Sequence, residues 1–349
     1  MKVAVTYSSK KGLESEFRKL HKDFSENDEE PPPDFFAEGD SPETINEVIK
    51  AIRCCGHSVT GLEADSNSYK KLREVKPDMV FNIAEGLFGS FRESYIPMIC
   101  EMERIPYTGS DPLTLAICLD KARCKEVLKY YSIATPDFRI VEKPVLKELG
   151  KFKYPVIVKP NIEGSSKGIF NDSVADTPKQ ALKIAEEKIA KYHQPVIVEE
   201  FLSGREFTIA FWGNSEKDWE VLPIVEIDHN ELPKSARPIY SYEAKWVWDT
   251  PEKPLNIFKC PAKISALLKN KIEKLILNTA KVLKIRDWCR ADIRLDENGI
   301  PSIIELNPLP GILPNPEENS CFPKAARTAG YTYQEMLGKI ISIAAKRYG

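Results

Sequence analysis

The sequence predicts an α/β fold in three units, a parallel α/β unit at the N-terminus followed by two α+β units, and three observations predict it. The chain is 349 residues long, enough for two or three domains of ordinary size. Through its first third, short β-branched runs alternate with helical patterns, the order of a parallel sheet with helices on its faces. Its last third sets strands in neighbouring pairs, and the final pair is joined by a turn signal.

The elements follow in order. Residues 3–7 and 79–83 read as strands, and 41–55 and 112–130 as helices; Ser41 before Pro42 starts the second element and Gly56 stops it. This unit closes near Tyr107. Residues 23–30 are acidic and run into Pro31-Pro32-Pro33, a composition that buries little apolar surface and reads as a loop. A solvated insertion is the plain reading, and a lid over a cationic substrate the sharper one. The second unit has strands at 154–159 and 195–199 around a helix at 177–192. The third has strands at 206–212, 221–227, 287–295 and 300–306, with helices at 262–283 and 333–346. The expected domains are 1–107, 108–195 and 196–349.

Composition narrows the function classes. The chain is 42% hydrophobic and 29% charged with a net charge of −2, so it is globular and has no basic field for nucleic acid or an anionic membrane. No apolar run reaches 18 residues, and the N-terminal apolar stretch is too short for a signal peptide; a cytoplasmic protein is expected. Eight cysteines without a CxxC pair and four histidines offer no zinc spacing. The thiols read as reduced core residues.

The most informative chemistry lies on the last two strands. In 289–295, Ala291, Ile293 and Leu295 point one way and Arg290, Asp292 and Arg294 the other; in 300–307, Ile303, Glu305 and Asn307 are expected to share a face. If Asn298-Gly299 centres a two-residue turn, Asp292 faces Glu305 and Arg290 faces Asn307. Facing carboxylates repel unless a divalent cation joins them, and two carboxylates with an Asn carbonyl suit magnesium completed by phosphate. A four-residue turn would instead set Arg290 against Glu305 as an ordinary ion pair. Both readings stay open on the pattern alone.

A cationic set matches this acidic pair. Lys159 ends the strand 154–159, and Glu163-Gly164-Ser165-Ser166-Lys167-Gly168 follows as a donor-rich loop able to wrap phosphate. The same loop fits a nucleophile-elbow pattern with Ser166 as nucleophile, but no helix leaves it directly. The connection Glu199-Glu200-Phe201-Leu202, with Glu206 beyond it, could hold an adenine by backbone donors and an apolar wall. Lys121 and Lys245 would each pass for a surface lysine if read alone.

Taken in order, these segments resemble the D-alanine–D-alanine ligases within the ATP-grasp superfamily of carboxylate–amine ligases. The anchors are Ile105-Pro106-Tyr107-Thr108-Gly109-Ser110, Asp120-Lys121, the Val-Lys-Pro and Glu-Gly-Ser-Ser loop, Gly204-Arg205-Glu206-Phe207-Thr208, Tyr242-Glu243-Ala244-Lys245, Arg290-Ala291-Asp292 and Glu305-Leu306-Asn307-Pro308-Leu309-Pro310-Gly311. The resemblance implies a three-domain ATP-grasp fold in which two α+β subdomains clasp ATP. It puts Lys121 and Lys159 on the phosphates, Ser165 and Ser166 over them, Glu199 to Leu202 on the adenine and Glu206 on the ribose. Asp292, Glu305 and Asn307 would carry two magnesium ions, with manganese an alternative. Arg290 and Lys245 would steady charge during transfer.

The resemblance further implies small amino-acid or short-peptide substrates and allows a homodimer. It weakens at the substrate ends. A Gly-Gly-x-Ser-x-Glu pattern is replaced by Ser8-Ser9-Lys10-Lys11-Gly12-Leu13-Glu14-Ser15-Glu16, leaving Glu14 or Glu16 as a shifted stand-in. Glu85-Gly86 stands where a His-Gly is expected, and Leu313-Pro314-Asn315-Pro316 where a serine pair is expected, with Ser320 further on. Glu85, beside Arg92 and Glu93 in a loop after a strand, is expected to contact a substrate amino group. A nucleotide-binding protein without turnover is the alternative class, and the full set Lys159, Arg290, Asp292, Glu305 and Asn307 speaks against it.

Overall fold

Three sheets organise the chain in a computed structural model that describes residues 1–20, 31–250 and 253–349, with the backbone alone at residue 20. The acidic run 23–30 lies outside the described residues. In the first sheet, β1 (Lys2–Tyr7) is flanked in parallel by β2 (Ser58–Glu63) and β3 (Met79–Asn82). Strand β2 escaped the sequence reading because Gly61 and Thr60 interrupt its apolar pattern. Helix α1 spans Lys10–Leu20 and α2 spans Pro42–Cys54. Ser41 caps α2 by accepting from the Thr44 N–H at 3.1 Å, as its position before Pro42 predicts. Helices α3 (Ser68–Val75) and α4 (Tyr95–Glu103) complete this layer.

The helix expected over 112–130 is two, α5 (Pro112–Leu119) and α6 (Lys121–Tyr130). Asp120 breaks them because its side chain caps the second, accepting from the Arg123 N–H at 3.0 Å. That cap places Lys121 at the first position of α6, aimed back toward the sheets.

A second, antiparallel sheet has the order β4-β7-β5-β6. It consists of β4 (Phe138–Val141), β5 (Val156–Pro160), β6 (Val174–Ala175) and β7 (Val196–Glu200), with α7 (Leu146–Leu149) and α8 (Pro178–Tyr192) beside it. Since β7 is hydrogen-bonded between β4 and β5, the chain leaves this sheet after Glu200 rather than at 195. Cys118, Cys124 and Leu128 of α5 and α6 are buried with the third sheet, so those helices pack away from the sheet whose unit they were expected to join.

The third sheet runs β11-β10-β8-β12-β13, with β9 on β8. Its strands are β8 (Glu206–Trp212), β9 (Glu220–Val221), β10 (Val225–Ile227), β11 (Phe258–Lys259), β12 (Trp288–Leu295) and β13 (Pro301–Asn307). Helix α9 (Ala266–Leu283) covers one face, and α10 (Cys321–Thr328) and α11 (Tyr333–Tyr348) follow. One core joins Val3, Val5 and Phe81 of the first sheet to Trp212 and Trp288 of the third and to Leu337 and Ile340 of α11. The fully buried Asp287 carboxylate accepts from the Gly109 N–H and from Arg347, each at 2.8 Å. It thereby ties the segment leaving the first sheet to the last helix.

Candidate active site

The hairpin β12–β13 sets Asp292 opposite Glu305 and Arg290 opposite Asn307, the pairing a two-residue turn would produce, but the turn is different. Asp296 and Ile300 close a three-residue loop, with the Asp296 N–H on the Ile300 carbonyl at 3.0 Å and Gly299 at φ +73°. A bulge next to Asp292 then leaves Ile304 without a partner and returns the register. The bulge also changes faces. Ile303 pairs with Ile293 and joins the apolar core, so it does not share a face with Glu305 and Asn307, as strict alternation predicted.

The polar face of this hairpin forms one wall of a cavity of about 350 Å³, into which Lys121, Lys159, Lys245, Arg290, Asp292 and Glu305 converge. Glu305 pairs with the buried Lys121 ammonium at 2.8 Å. Asp292 pairs with Arg290 at 3.1 Å and accepts from the Asn307 amide at 3.4 Å. Burial raises the Asp292 carboxyl above its usual range against the opposing effect of Arg290, and the Glu305 charge adds to the rise. Burial raises the Glu305 carboxyl, but Lys121, Lys159 and Arg290 together lower it further, and Glu305 stays below its ordinary value. This donor set fits a magnesium ion: two facing carboxylates and an amide whose oxygen faces them once its two ends are exchanged, with room for phosphate oxygens. Among the described residues no group of three or more His, Cys, Asp or Glu forms a self-sufficient cage. Any ion here therefore depends on ligands from a phosphate or water.

On the opposite wall the lysines are fixed by buried carboxylates. Lys159 and Lys125 flank Glu199 at 3.0 and 3.6 Å, and burial pushes the Lys125 ammonium down to about 8. Glu199 is therefore engaged with lysines, and neither it nor Glu200, Phe201 or Leu202 lines the cavity, although the sequence placed them on an adenine. Glu206 does line it, held by Arg294 and His229, each at 2.9 Å; Arg294 stands directly across the β8–β12 ladder from Glu206. Lys245 reaches the cavity from the turn Ala244–Trp248 with no carboxylate in ion-pair contact among the described residues, and burial followed by Arg290 lowers its proton affinity.

The glycine-rich loop covers this cavity. Ser165 and Ser166 both adopt the left-handed region, at φ +49° and +62°, a costly conformation for non-glycine residues that persists only when its surroundings hold it. Here the Ser166 hydroxyl donates to the Tyr240 carbonyl at 3.0 Å, and the Trp246 indole N–H donates to the Ser165 carbonyl at 3.4 Å. Gly168, at φ +69°, packs so closely on Pro160 that a Cβ would lie 2.3 Å from its ring. Ser166 is bonded to a carbonyl and no histidine among the described residues lines the cavity, so a serine nucleophile has no histidine base.

Residues 31–40 are not a solvated loop. Asp34 and Glu38 are buried and both reach the glycine-rich loop. Glu38 accepts from the Gly164 N–H at 2.9 Å, from Arg92 at 2.9 Å and from Lys167 at 3.0 Å. Asp34 accepts from the Gly168 N–H and the Tyr192 hydroxyl, each at 2.7 Å. No local signal pointed to these partners, since they lie 54 to 158 residues away.

At the N-terminal end of the cavity stand Glu85, Glu93 and Asp40. Burial, with neighbouring carboxylates adding to it, pushes Glu85 well above the usual range and raises Glu93 and Asp40 to about 7. Glu14 and Glu16 lie on α1 and do not line the cavity, so the shifted stand-in is not met; Glu38 and Asp40 occupy that end instead. At the other end the 311–320 loop folds back until the Ser320 hydroxyl donates to the Gly311 carbonyl at 3.2 Å and accepts from the Leu313 N–H at 3.2 Å. Ser320, distant in sequence from the expected serine pair, thus lines the cavity.

Residues 125–342 match the family model described as D-ala D-ala ligase C-terminus. The chain is 34% identical over 310 residues to the uncharacterized protein y4sG of Sinorhizobium fredii, covering 86% of this chain and 87% of that one. It is 33% identical over 305 residues to a D-alanine–D-alanine ligase of Aquifex aeolicus, covering 86% and 94%. The crystal structure of a Bacillus anthracis D-alanine–D-alanine ligase complexed with ATP superposes over 100% of both chains with a TM-score of 0.70 at 22% identity, a likeness of fold.

Proposed function

The chain belongs to the D-alanine–D-alanine ligase family of ATP-grasp ligases, and we propose that it joins the carboxyl group of one amino acid to the amine of another amino acid or short peptide. The observation that carries this reading is the Asp292–Glu305 pair facing Lys121, Lys159, Lys245 and Arg290 across a single cavity. Acidic groups for a metal and basic groups for phosphate converge where a carboxylate must meet a phosphoryl group.

ATP lies between the second and third sheets, its phosphates beneath Ser165 and Ser166 and beside Lys121 and Lys159, its ribose at Glu206. A substrate carboxylate oxygen attacks the γ-phosphorus, the bridging P–O bond breaks, and ADP leaves with the electron pair. An amine nitrogen then attacks the acylphosphate carbonyl, loses a proton and expels phosphate. Lys245 accompanies the transferring phosphoryl group, and Arg290 steadies the oxyanion. Asp292, Glu305 and Asn307 would hold magnesium, which would supply neutralising charge to the phosphates. The closed loop keeps water from the acylphosphate.

D-alanine is the substrate named for the relatives, while Glu85 in place of an imidazole and the recessed Ser320 favour a different amino acid or a dipeptide for this chain. Among the described residues no helix is long and apolar enough to cross a membrane, which agrees with a cytoplasmic enzyme. ATP-dependent phosphate release over D- and L-amino acids and dipeptides, with mass detection of products, tests the reading. It expects phosphate and coupled product in equal amounts; no phosphate with any acceptor would favour a nucleotide-binding protein without turnover.

A further inference from the structure

We propose that Glu38 is a positioning residue for the glycine-rich loop, and that the segment 31–40 forms the N-terminal half of a clamp that closes the loop over the nucleotide phosphates. This inference rests on the phosphate-loop reading above and adds residues outside the motifs that support it.

Four charged side chains meet at one buried point. Glu38 and Arg92 are 2% and 3% exposed at their side chains, and Lys167 is 3% exposed against Glu38 at 3.0 Å. Glu163 completes the set at 2.6 Å from Lys167 and 3.4 Å from Arg92. Two carboxylates and two cations balance, and each charge has partners on both sides. A buried set of this kind tolerates little displacement, because removing one member leaves another charge buried without compensation. The cluster therefore holds well in one arrangement and poorly in intermediate ones.

Its members come from three separate parts of the chain. Glu38 belongs to the 31–40 segment, Arg92 to the turn before α4, and Glu163 and Lys167 to the two ends of the glycine-rich loop. Gly164 lies between them, and a Cβ there would stand 2.6 Å from the Glu38 carboxylate oxygen and push it aside. Arg92 adds a bond to the Ile162 carbonyl at 2.8 Å. On the far side of the same loop, Tyr240 and Trp246 hold Ser166 and Ser165. The loop is thus gripped from both ends of the cavity.

The grip has a consequence for substrate order. Ala37, Gly39, Asp40 and Ser41 line the same cavity as Ser165 and Ser166. A substrate at the N-terminal end touches the segment that carries Glu38 and so biases the loop toward closure before phosphoryl transfer. A ligand whose competent state is only partly populated binds more weakly by that fraction. Losing the clamp then weakens nucleotide binding without touching a phosphate-contacting group.

The test uses the full chain, MgADP as the probe, and the fluorescence of Trp246 beside Ser165 as the readout, alongside thermal melting of each protein without nucleotide. Glu38→Gln is expected to weaken MgADP binding by about tenfold, the loss that follows if the closed fraction falls by that factor, and Glu38→Asp to recover part of it. Lys167→Gln should behave like Glu38→Gln, and the double variant should lose no more than either alone. A Glu38→Gln protein that melts lower yet binds MgADP as tightly as the parent would overturn the positioning role. Failure of the parent itself to bind MgADP would overturn the ligase reading, and the clamp with it. If Glu38→Gln does not fold, a Lys167→Gln protein with unchanged MgADP affinity overturns the proposal equally.

Discussion

Asp292→Asn and Glu305→Gln remove the same kind of ligand from the same proposed metal site, yet the structure assigns them different effects on stability. Glu305 is the carboxylate partner of Lys121, whose side chain is 4% exposed and whose other contact is the Glu163 carbonyl. Removing that charge leaves a buried ammonium uncompensated, at a cost of about 3 kcal/mol. Asp292 pairs with Arg290, whose side chain is 24% exposed, so its loss costs about 1 kcal/mol, and relief from the facing Glu305 offsets part of it. In metal-free, nucleotide-free denaturation, Glu305→Gln should lower the midpoint clearly and Asp292→Asn hardly at all. Both should cut ATP-dependent phosphate release by about a hundredfold, the scale of losing one electrostatic contact to transition-state charge. Equal destabilisation by the two changes, or full activity in either, would refute the reasoning. So would unfolding of Asp292→Asn where the metal-free parent is stable.

Glu38, held down to about 2 by Arg92 and Lys167 against its burial, contributes stability that is present above an unfolded value near 4.5 and lost as pH falls toward 2. The gap amounts to about 3 kcal/mol, and urea melts of parent and Glu38→Gln should converge across that window. Asp40 has the opposite sign. Its carboxyl is raised to about 7 by burial, so its ionisation costs stability as pH rises; Asp40→Asn should gain over the parent at pH 8 relative to pH 5, as thermal melting would show. Glu85→Gln should raise the apparent KM of an amino-acid substrate by about tenfold, measured by phosphate release, and leave that for ATP unchanged. Gly168→Ala, forced into a left-handed φ against Pro160, should lose about 2–4 kcal/mol of folding stability in chemical denaturation.

The acidic hairpin was legible because strand alternation and turn chemistry are local. Arg290, Asp292, Glu305 and Asn307 could be sorted from the single stretch 290–307, and the Asp-Glu-Asn-Gly turn pointed to the register. Even so, the three-residue loop and the bulge at Ile304 each shift the pairing by one, and their cancellation was invisible without the backbone. Helix ends were legible where a cap is written into the chain, as at Ser41 and Thr177. They were missed where a residue caps from within a helical pattern, as Asp120 does. Strands β2 and β4 were missed because they are only half-buried and carry no apolar run.

The sequence alone marked out which residue types were present to hold a metal and phosphates, because those residues sit at strand ends and in a loop whose local conformation their neighbours dictate. Docking of the sheets decided which charge meets which. Glu38 and Lys167 stand 129 residues apart, and nothing near either announces the other. Lys159 and Glu199, each plausible for a nucleotide, pair with each other diagonally across β5 and β7, and of the two only Lys159 lines the cavity. An ion pair forms where burial removes water from both partners at once, and burial is a property of the assembled sheets. The near-neutral net charge concealed this. What matters chemically is that Glu85, Glu93 and Asp40, which form no ion pair among the described residues, line the same cavity as Lys121, Lys159 and Lys245.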